Sequence, residues 1–263
     1  MKLFCFDIDD TLLDKDKVFR KATIEAIRKK QKEGNAVCIA SGRPFSGIAP
    51  YLDPLLKTNL FVVGFNGAAL YKCDGTLLYQ NGMPFSVFHS FYKEHLQLLS
   101  EGVSMYCYTD REVCSFEDSK AIRYENRMNH APMRLLSDRP LDDDAPIMKF
   151  MVASDIHEKV DEVEKEKGRY SFLHTVRSAP CFFEFTKLGV DKSSAIEVLR
   201  LHLGIENKLD VVTFGDAGND YLMLKDYYGV AMGNATESCK EVAKKVTKTC
   251  KEDGVAYALE HYF

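Results

Sequence analysis

Several common signatures are missing from this chain of 263 residues. There is no CxxC pair, and the eight cysteines follow no regular spacing, which excludes a disulfide framework. The seven histidines form neither HxH nor HExxH, so the usual grounds for a zinc site are absent. No apolar stretch approaches the length of a membrane span. The only early apolar run is broken by Asp7 and Asp9, so no secretory signal is read at the N-terminus. Positive charge is not in surplus either. The formal net charge is −4, against the basic footprint that nucleic-acid binding needs. The expectation is a reduced, soluble, cytoplasmic protein without a nucleic-acid or membrane partner. Its oligomeric state is not readable.

What is present is a 46% hydrophobic chain, enough for one large domain or two modest ones. Three short apolar runs open it: "KLFCF", "AVCIAS" and "LFVVGFN". Between the first two, "KATIEAIRKKQKEGN" carries Ile24 and Ile27 and stops at Gly34, as a helix does. Near the C-terminus come "DVVTFGD" and "GVAMG", and "DKSSAIEVLRLHLG" sets Ile196, Leu199 and Leu203 on one stripe. Unbroken apolar strands alternating with helices predict an α/β, Rossmann-like core with a parallel sheet covered on both faces. The middle differs. Short strands such as "VSMYCYT", "EVCSF", "IMKFMVAS", "YSFLHTV" and "CFFEFT" are interleaved with three helical segments. This predicts an inserted α+β domain, an antiparallel sheet with helices on one face. The core is placed at 1–83 and 187–263, the insertion at 84–186.

Acids mark the strand ends. In "FCFDIDDTLLD" an apolar run stops at Asp7, Asp9 and Asp10. Side chains at i and i+2 of a strand share a face, so Asp7 and Asp9 can converge beyond its C-terminal end. Ligands of open α/β sheets bind at that edge. Two carboxylates about 4 Å apart repel by about 4 kcal/mol at an effective dielectric near 20, a conflict that a cation removes. Oxygen-only ligands suit magnesium. A polar turn capped by Asp10 and Thr11 accounts for the same residues. "GDAGND" repeats the pattern after "VVTF": Asp216 is a second candidate ligand, with Asn219 and Asp220 beside it. A Gly/Asn turn is the plain alternative, but two such strand ends make coincidence a poor account. In "IASGRP", Ser41 and Gly42 before a helix form a phosphate cradle, and Arg43 holds an anion or a surface ion pair. Lys192 stands in the first turn of a helix, where the dipole disfavours cations. It serves an anion there, or it is a solvated lysine.

Taken together, these segments resemble the haloacid dehalogenase superfamily of phosphohydrolases, in its Cof-type (type IIB) sugar-phosphatase-like branch. "DIDDTLL" resembles the first motif, "IASGR" the second, Lys192 the third and "GDAGND" the fourth. "FNGA" (Phe65 to Ala68, with Asn66) and "AMGNA" also resemble segments of that branch. Two positions depart from it: Asp10 and Ser193 stand where glycine is common.

The resemblance implies a magnesium-dependent phosphatase acting on small phosphorylated metabolites, sugar phosphates among them. It implies that Asp7 is the nucleophile and forms an aspartyl-phosphate, and that Asp9 moves protons. It places magnesium between Asp7 and Asp216, with the backbone carbonyl of Asp9. Ile8, Ser41, Gly42, Lys192 and Asn219 would bind the phosphoryl group, with Asp220, Arg43 and Asn66 in support. The insertion would be a lid that reads the leaving group, and Tyr106, Tyr108 and Phe183 within it are core residues by default. A phosphomutase or phosphotransferase would use the same chemistry. A phospho-accepting receiver module shares the acids and the lysine but needs no inserted cap.

Overall fold

The computed structural model describes residues 1–263 and divides into two compact units, 1–79 with 191–263, and 80–190. The chain begins with β1 (Leu3–Phe6), α1 (Lys21–Lys32), β2 (Ala36–Ala40), α2 (Phe45–Ile48), β3 (Leu60–Gly64), β4 (Ala69–Lys72) and β5 (Leu77–Gln80). The second unit follows with β6 (Met83–Pro84), α3 (Phe85–Glu94), α4 (Leu96–Leu99), β7 (Ser104–Tyr108), β8 (Val113–Ser115), α5 (Lys120–Asn129), β9 (Met133–Leu135), β10 (Pro146–Ile147), β11 (Lys149–Ala153), α6 (His157–Lys165), β12 (Leu173–Ala179) and β13 (Phe182–Lys187). The chain then returns to the first unit through α7 (Lys192–His202), β14 (Val211–Gly215), α8 (Tyr221–Asp226), β15 (Tyr228–Ala231), α9 (Glu237–Val242), β16 (Lys245–Val246) and α10 (Gly254–His261).

The first unit is built on an eight-stranded sheet, in the order β16-β15-β14-β1-β2-β3-β4-β5. From β16 to β3 every pairing is parallel. All residues of β1, β2, β3 and β14 are buried, as both faces of a helix-covered parallel sheet must be. On one face Cys5, Cys38 and Val63 pack with Ile196 and Leu199 of α7 and with Met223 and Tyr227. The antiparallel pair β3–β4 extends the sheet beyond what the sequence reveals. β5 is short and only half-buried, so its hydrophobic pattern is weak.

The register decides where the chemistry sits. Phe6 lies opposite both Phe214 and Ile39, and Ala40 lies opposite Val63. Parallel strands in that register end together. The residues that follow β1, β2, β3 and β14 therefore emerge along one edge.

The second unit is a six-stranded sheet, in the order β12-β13-β11-β7-β8-β9, with only β8–β9 parallel. Its core is phenylalanine-rich. Phe85, Phe88 and Phe91 of α3, at a spacing of one helical turn, meet Phe150, Phe183 and Phe185 from the strands. Phe150 and Phe185 stack with ring centroids 4.3 Å apart. Residues of β7 alternate between faces, so Met105 and Cys107 join this core while Tyr106 and Tyr108 point away from it. There α5 meets them. Both oxygens of the buried Glu125 are engaged, one by the Tyr106 hydroxyl at 2.9 Å, the other by Tyr108 at 2.7 Å and Asn129 at 2.6 Å. Phe183 and both tyrosines are thus packing residues, at 1% exposure or less. Replacing Glu125 by Leu takes the acceptor from the buried Tyr106 hydroxyl and one partner from Tyr108. We expect a loss of about 2–4 kcal/mol, read as a lower urea midpoint by far-UV circular dichroism. An unchanged midpoint would refute that role.

Candidate active site

Asp7 is the first residue past β1, and its amide still bonds to the Phe214 carbonyl at 3.0 Å. That ladder bond fixes its backbone beside β14. Its carboxylate is met by the Lys192 ammonium at 2.5 Å, and the same ammonium reaches Asp220 at 2.7 Å. Lys192 and Asp220 are fully buried and Asp7 is 6% exposed. Lys192 reaches them from the first turn of α7. Asp191 caps that helix, taking the Ser194 amide at 2.8 Å while Ser194 bonds back to it. Burial alone would lower the pKa of Lys192. Asp220 and Asp7 outweigh it, so the ammonium stays protonated at any pH of interest. Burial, and then Asp220, push the Asp7 carboxyl up against the pull of Lys192.

Asp216 emerges beside Asp7, from the end of β14. Its Oδ1 accepts the Thr11 hydroxyl at 3.0 Å. Burial first, and Asp220 second, raise its pKa to about 7. Asp220 is spent otherwise: one oxygen takes Lys192, the other the amides of Asp216 and Ala217 at 2.9 and 3.1 Å. Gly215 makes this possible, because a Cβ there would stand 2.5 Å from the Asp220 side chain. Carboxylate oxygens of Asp7, Asp216 and Asp220 lie within 4.8 Å of one another. Three converging carboxyl groups, only two of them bonded to Lys192 and all offering oxygen donors, fit a hard divalent ion. Of the three, Asp220 is the least free to ligate.

Asp9 goes elsewhere. Its carboxylate is clamped by Arg43 at 2.9 and 2.6 Å and by Lys17 at 2.6 Å. Burial would raise its pKa, but these two cations prevail and lower it. Its backbone carbonyl accepts no backbone amide. Asp10 has φ 59°, the left-handed conformation that a glycine adopts freely and an aspartate tolerates. Ser193 bonds to Asp226 at 2.6 Å. Both departures from glycine are therefore accommodated locally.

Ser41 is buried at the end of β2, its amide on the Val63 carbonyl at 2.9 Å. Its hydroxyl accepts the Arg43 amide at 3.3 Å. Ile8 uses its carbonyl for the amides of Leu12 and Leu13, while its own N–H takes no backbone acceptor. Asn219 donates to Asn66 at 3.1 Å. Every residue expected in the site thus lies in the first unit. Two partners went unread: Thr11 as the support of Asp216, and Lys17 on Asp9. Thr11 was visible only as a capping group, and a lone lysine in a loop carries no signal.

A family model described as haloacid dehalogenase-like hydrolase matches residues 4–259. A 5-amino-6-(5-phospho-D-ribitylamino)uracil phosphatase of Bacillus subtilis is 27% identical, over 99% of this chain and 97% of its own. Among solved structures, a haloacid dehalogenase-like hydrolase from Bacteroides thetaiotaomicron is 29% identical, with a TM-score of 0.86 over 100% of this chain and 99% of that one. The subclass IIB sugar phosphatase BT4131 has the same fold, with a TM-score of 0.76 at 24% identity over 100% and 99% of the two chains. No helix here is long and apolar enough to cross a membrane.

Proposed function

The chain belongs to the haloacid dehalogenase-like hydrolase family and is a phosphatase, and from that premise we propose that it is magnesium-dependent and hydrolyses phosphomonoesters of small metabolites, sugar phosphates first among them. The observation that carries this reading is the buried Asp7–Lys192–Asp220 array with Asp216 beside it.

In this reading an Asp7 oxygen attacks phosphorus and the ester P–O bond breaks, leaving an aspartyl-phosphate. The departing alkoxide takes a proton from Asp9. Water then attacks the same phosphorus, gives its proton to Asp9 and frees Asp7. The Arg43 and Lys17 clamp holds Asp9 ionised, which suits the second step. For the first step Asp9 must leave the clamp and gain a proton. Lys192 neutralises charge on Asp7 and on the phosphoryl oxygens, while Ile8, Ser41, Gly42 and Asn219 direct donors at them. Asp7, Asp216 and the Asp9 carbonyl would hold magnesium, which when bound offsets the charge gathering on the phosphoryl group. Selection of the leaving group by residues 80–190, as a cap, is part of the proposal.

The test is a phosphate-release screen over sugar phosphates, nucleotides and p-nitrophenyl phosphate, with magnesium or with EDTA. We expect sustained multiple turnover with magnesium and loss of activity with EDTA. Full activity in EDTA removes the metal from the reading. Delivery of phosphate to an added alcohol in preference to water selects a phosphotransferase instead.

The raised pKa of Asp216 gives the metal a pH dependence. Below about 7 a proton competes for that carboxylate, so the cation must displace it. Calorimetry in buffers of different ionisation enthalpy should show proton release at pH 6, vanishing by pH 9, with tighter binding at the higher pH. The metal-free protein has the matching stability trend. Between the ordinary carboxylate range and about 7 the folded chain holds a proton that the unfolded chain has lost. Its stability therefore falls as pH rises through that window, and added magnesium should cancel the fall. Metal affinity independent of pH from 6 to 9 would refute the coupling.

A further inference from the structure

The turn after β3 is the most strained backbone in the first unit. Phe65, Asn66 and Gly67 have φ of 52°, 53° and 108° in succession. A bulky residue such as phenylalanine is a true outlier there. Strain of this kind persists only where the surroundings over-determine it, and it concentrates at functional sites.

Five contacts over-determine this turn, and together they reach three parts of the site. The Phe65 amide bonds to the Arg43 carbonyl at 3.0 Å, and the Asn66 amide to the Ser41 carbonyl at 2.9 Å. The Asn66 carboxamide lies against Gly42, where a Cβ would come within 3.1 Å of it. Gly67 lies on the cap of α7, so closely that a Cβ would stand 2.0 Å from the Asp191 carbonyl oxygen. The next residue after Asp191 is Lys192. Finally, Asn66 Oδ1 accepts Asn219 Nδ2 at 3.1 Å, across 153 residues of chain.

We propose that the Phe65–Gly67 turn is the joint that holds the phosphate-binding groups in register, and that Asn66 is a positioning residue that orients the Asn219 carboxamide. The inference rests on the reading of Asn219 as a phosphate ligand. A free asparagine side chain presents its oxygen as readily as its nitrogen, and an oxygen would repel a phosphoryl group. By accepting one N–H, Asn66 Oδ1 settles which way Asn219 faces, and the second N–H remains for the anion. Flipping Asn219 would set two carbonyl oxygens against each other. The left-handed backbone aims Asn66 at this task, and asparagine is among the few non-glycine residues that enter that conformation readily.

A thermodynamic cycle tests this. Asn66→Gly keeps the left-handed backbone at no steric cost and removes the carbonyl. Its melting temperature should equal or exceed that of the wild type. Its affinity for inorganic phosphate, titrated calorimetrically with magnesium present, should fall roughly tenfold, as loss of a hydrogen bond that serves a charged ligand allows. The KM for p-nitrophenyl phosphate should rise by a similar factor, with kcat less affected. Asn219→Ala should also weaken phosphate binding. The double variant should match Asn219→Ala within about twofold, because Asn66 has nothing left to orient. Additive losses, or an unchanged Asn66→Gly variant, would overturn the proposal. Should Asn66→Gly fail to fold, Asn66→Ala also lacks the acceptor, and its coupling to Asn219→Ala is judged by the same criterion. A wild type that binds phosphate while the variants behave additively overturns the joint alone. A wild type that binds no phosphate overturns the ligand reading with it.

Discussion

Asp7→Asn should release no phosphate in the steady state, with kcat reduced roughly 10⁴-fold or more, the scale on which an enzyme loses its nucleophile. Asparagine fills the same volume and keeps an oxygen for Lys192. The substitution also removes the charge of one of three carboxyl groups whose oxygens lie within 4.8 Å of each other. The variant should therefore fold, and without metal it should melt no lower than the wild type. Phosphate should still bind, because the donors of Ser41, Gly42 and Asn219 are untouched. This pairing separates a chemical defect from a structural one. Phosphate release and thermal unfolding measured on one preparation decide it. Turnover within tenfold of the wild type would end the assignment of Asp7 as nucleophile.

Lys192→Met should fail in both respects. The ammonium has no exposed surface and bridges Asp7 at 2.5 Å and Asp220 at 2.7 Å. Removing one partner of a buried ion pair costs about 3–5 kcal/mol, because the remaining charge stays desolvated. Here two like charges remain. At about 2–4 °C per kcal/mol for a chain of this size class, the melting temperature should drop by roughly 6–20 °C. If the proposed magnesium site is real, added magnesium should restore part of that, by neutralising the same acids. Activity should fall by about 10²–10³, the loss typical when one preorganised charge-stabilising donor is removed. Arginine is not a substitute, because its planar fork does not fit a site shaped around one nitrogen. A Lys192→Met protein as stable and as active as the wild type would contradict the electrostatic account of this core.

The candidate site was largely legible because it obeys a strong rule. Apolar strands that stop at acids or small polar residues are conspicuous, and parallel strands in register end at one edge. Asp7, Ser41 and Asp216 are all announced in this way. Lys192 is not marked by a strand end: its helical position left a solvated lysine open, and the family resemblance singled it out. The Asp9 clamp was hidden. Lys17 lies in a loop, and its own φ of 59° marks a turn that no periodicity betrays. In the second unit, "VSMYCYT" and "CFFEFT" announced their strands by short runs of aromatic and apolar residues, but β9 has only three half-buried residues and left no pattern. Glu125 was invisible for another reason. A charged residue on a polar helix looks like surface until two tyrosine hydroxyls are found to need it.

The order of the strands bears on how this protein is made. β1 sits between β2 and β14, and its partner Phe214 is separated from Phe6 by most of the chain. During synthesis the leading strand waits with one side unpaired until the far end of the chain leaves the ribosome. Pairing over such a separation is slow, because a long loop must close before any contact rewards it. Asp7 and Lys192, 185 positions apart, can meet only after that closure. Under the proposed chemistry, a chain whose β14 has not yet closed onto β1 lacks Asp216 and Lys192 beside Asp7 and should be inert towards phosphoesters.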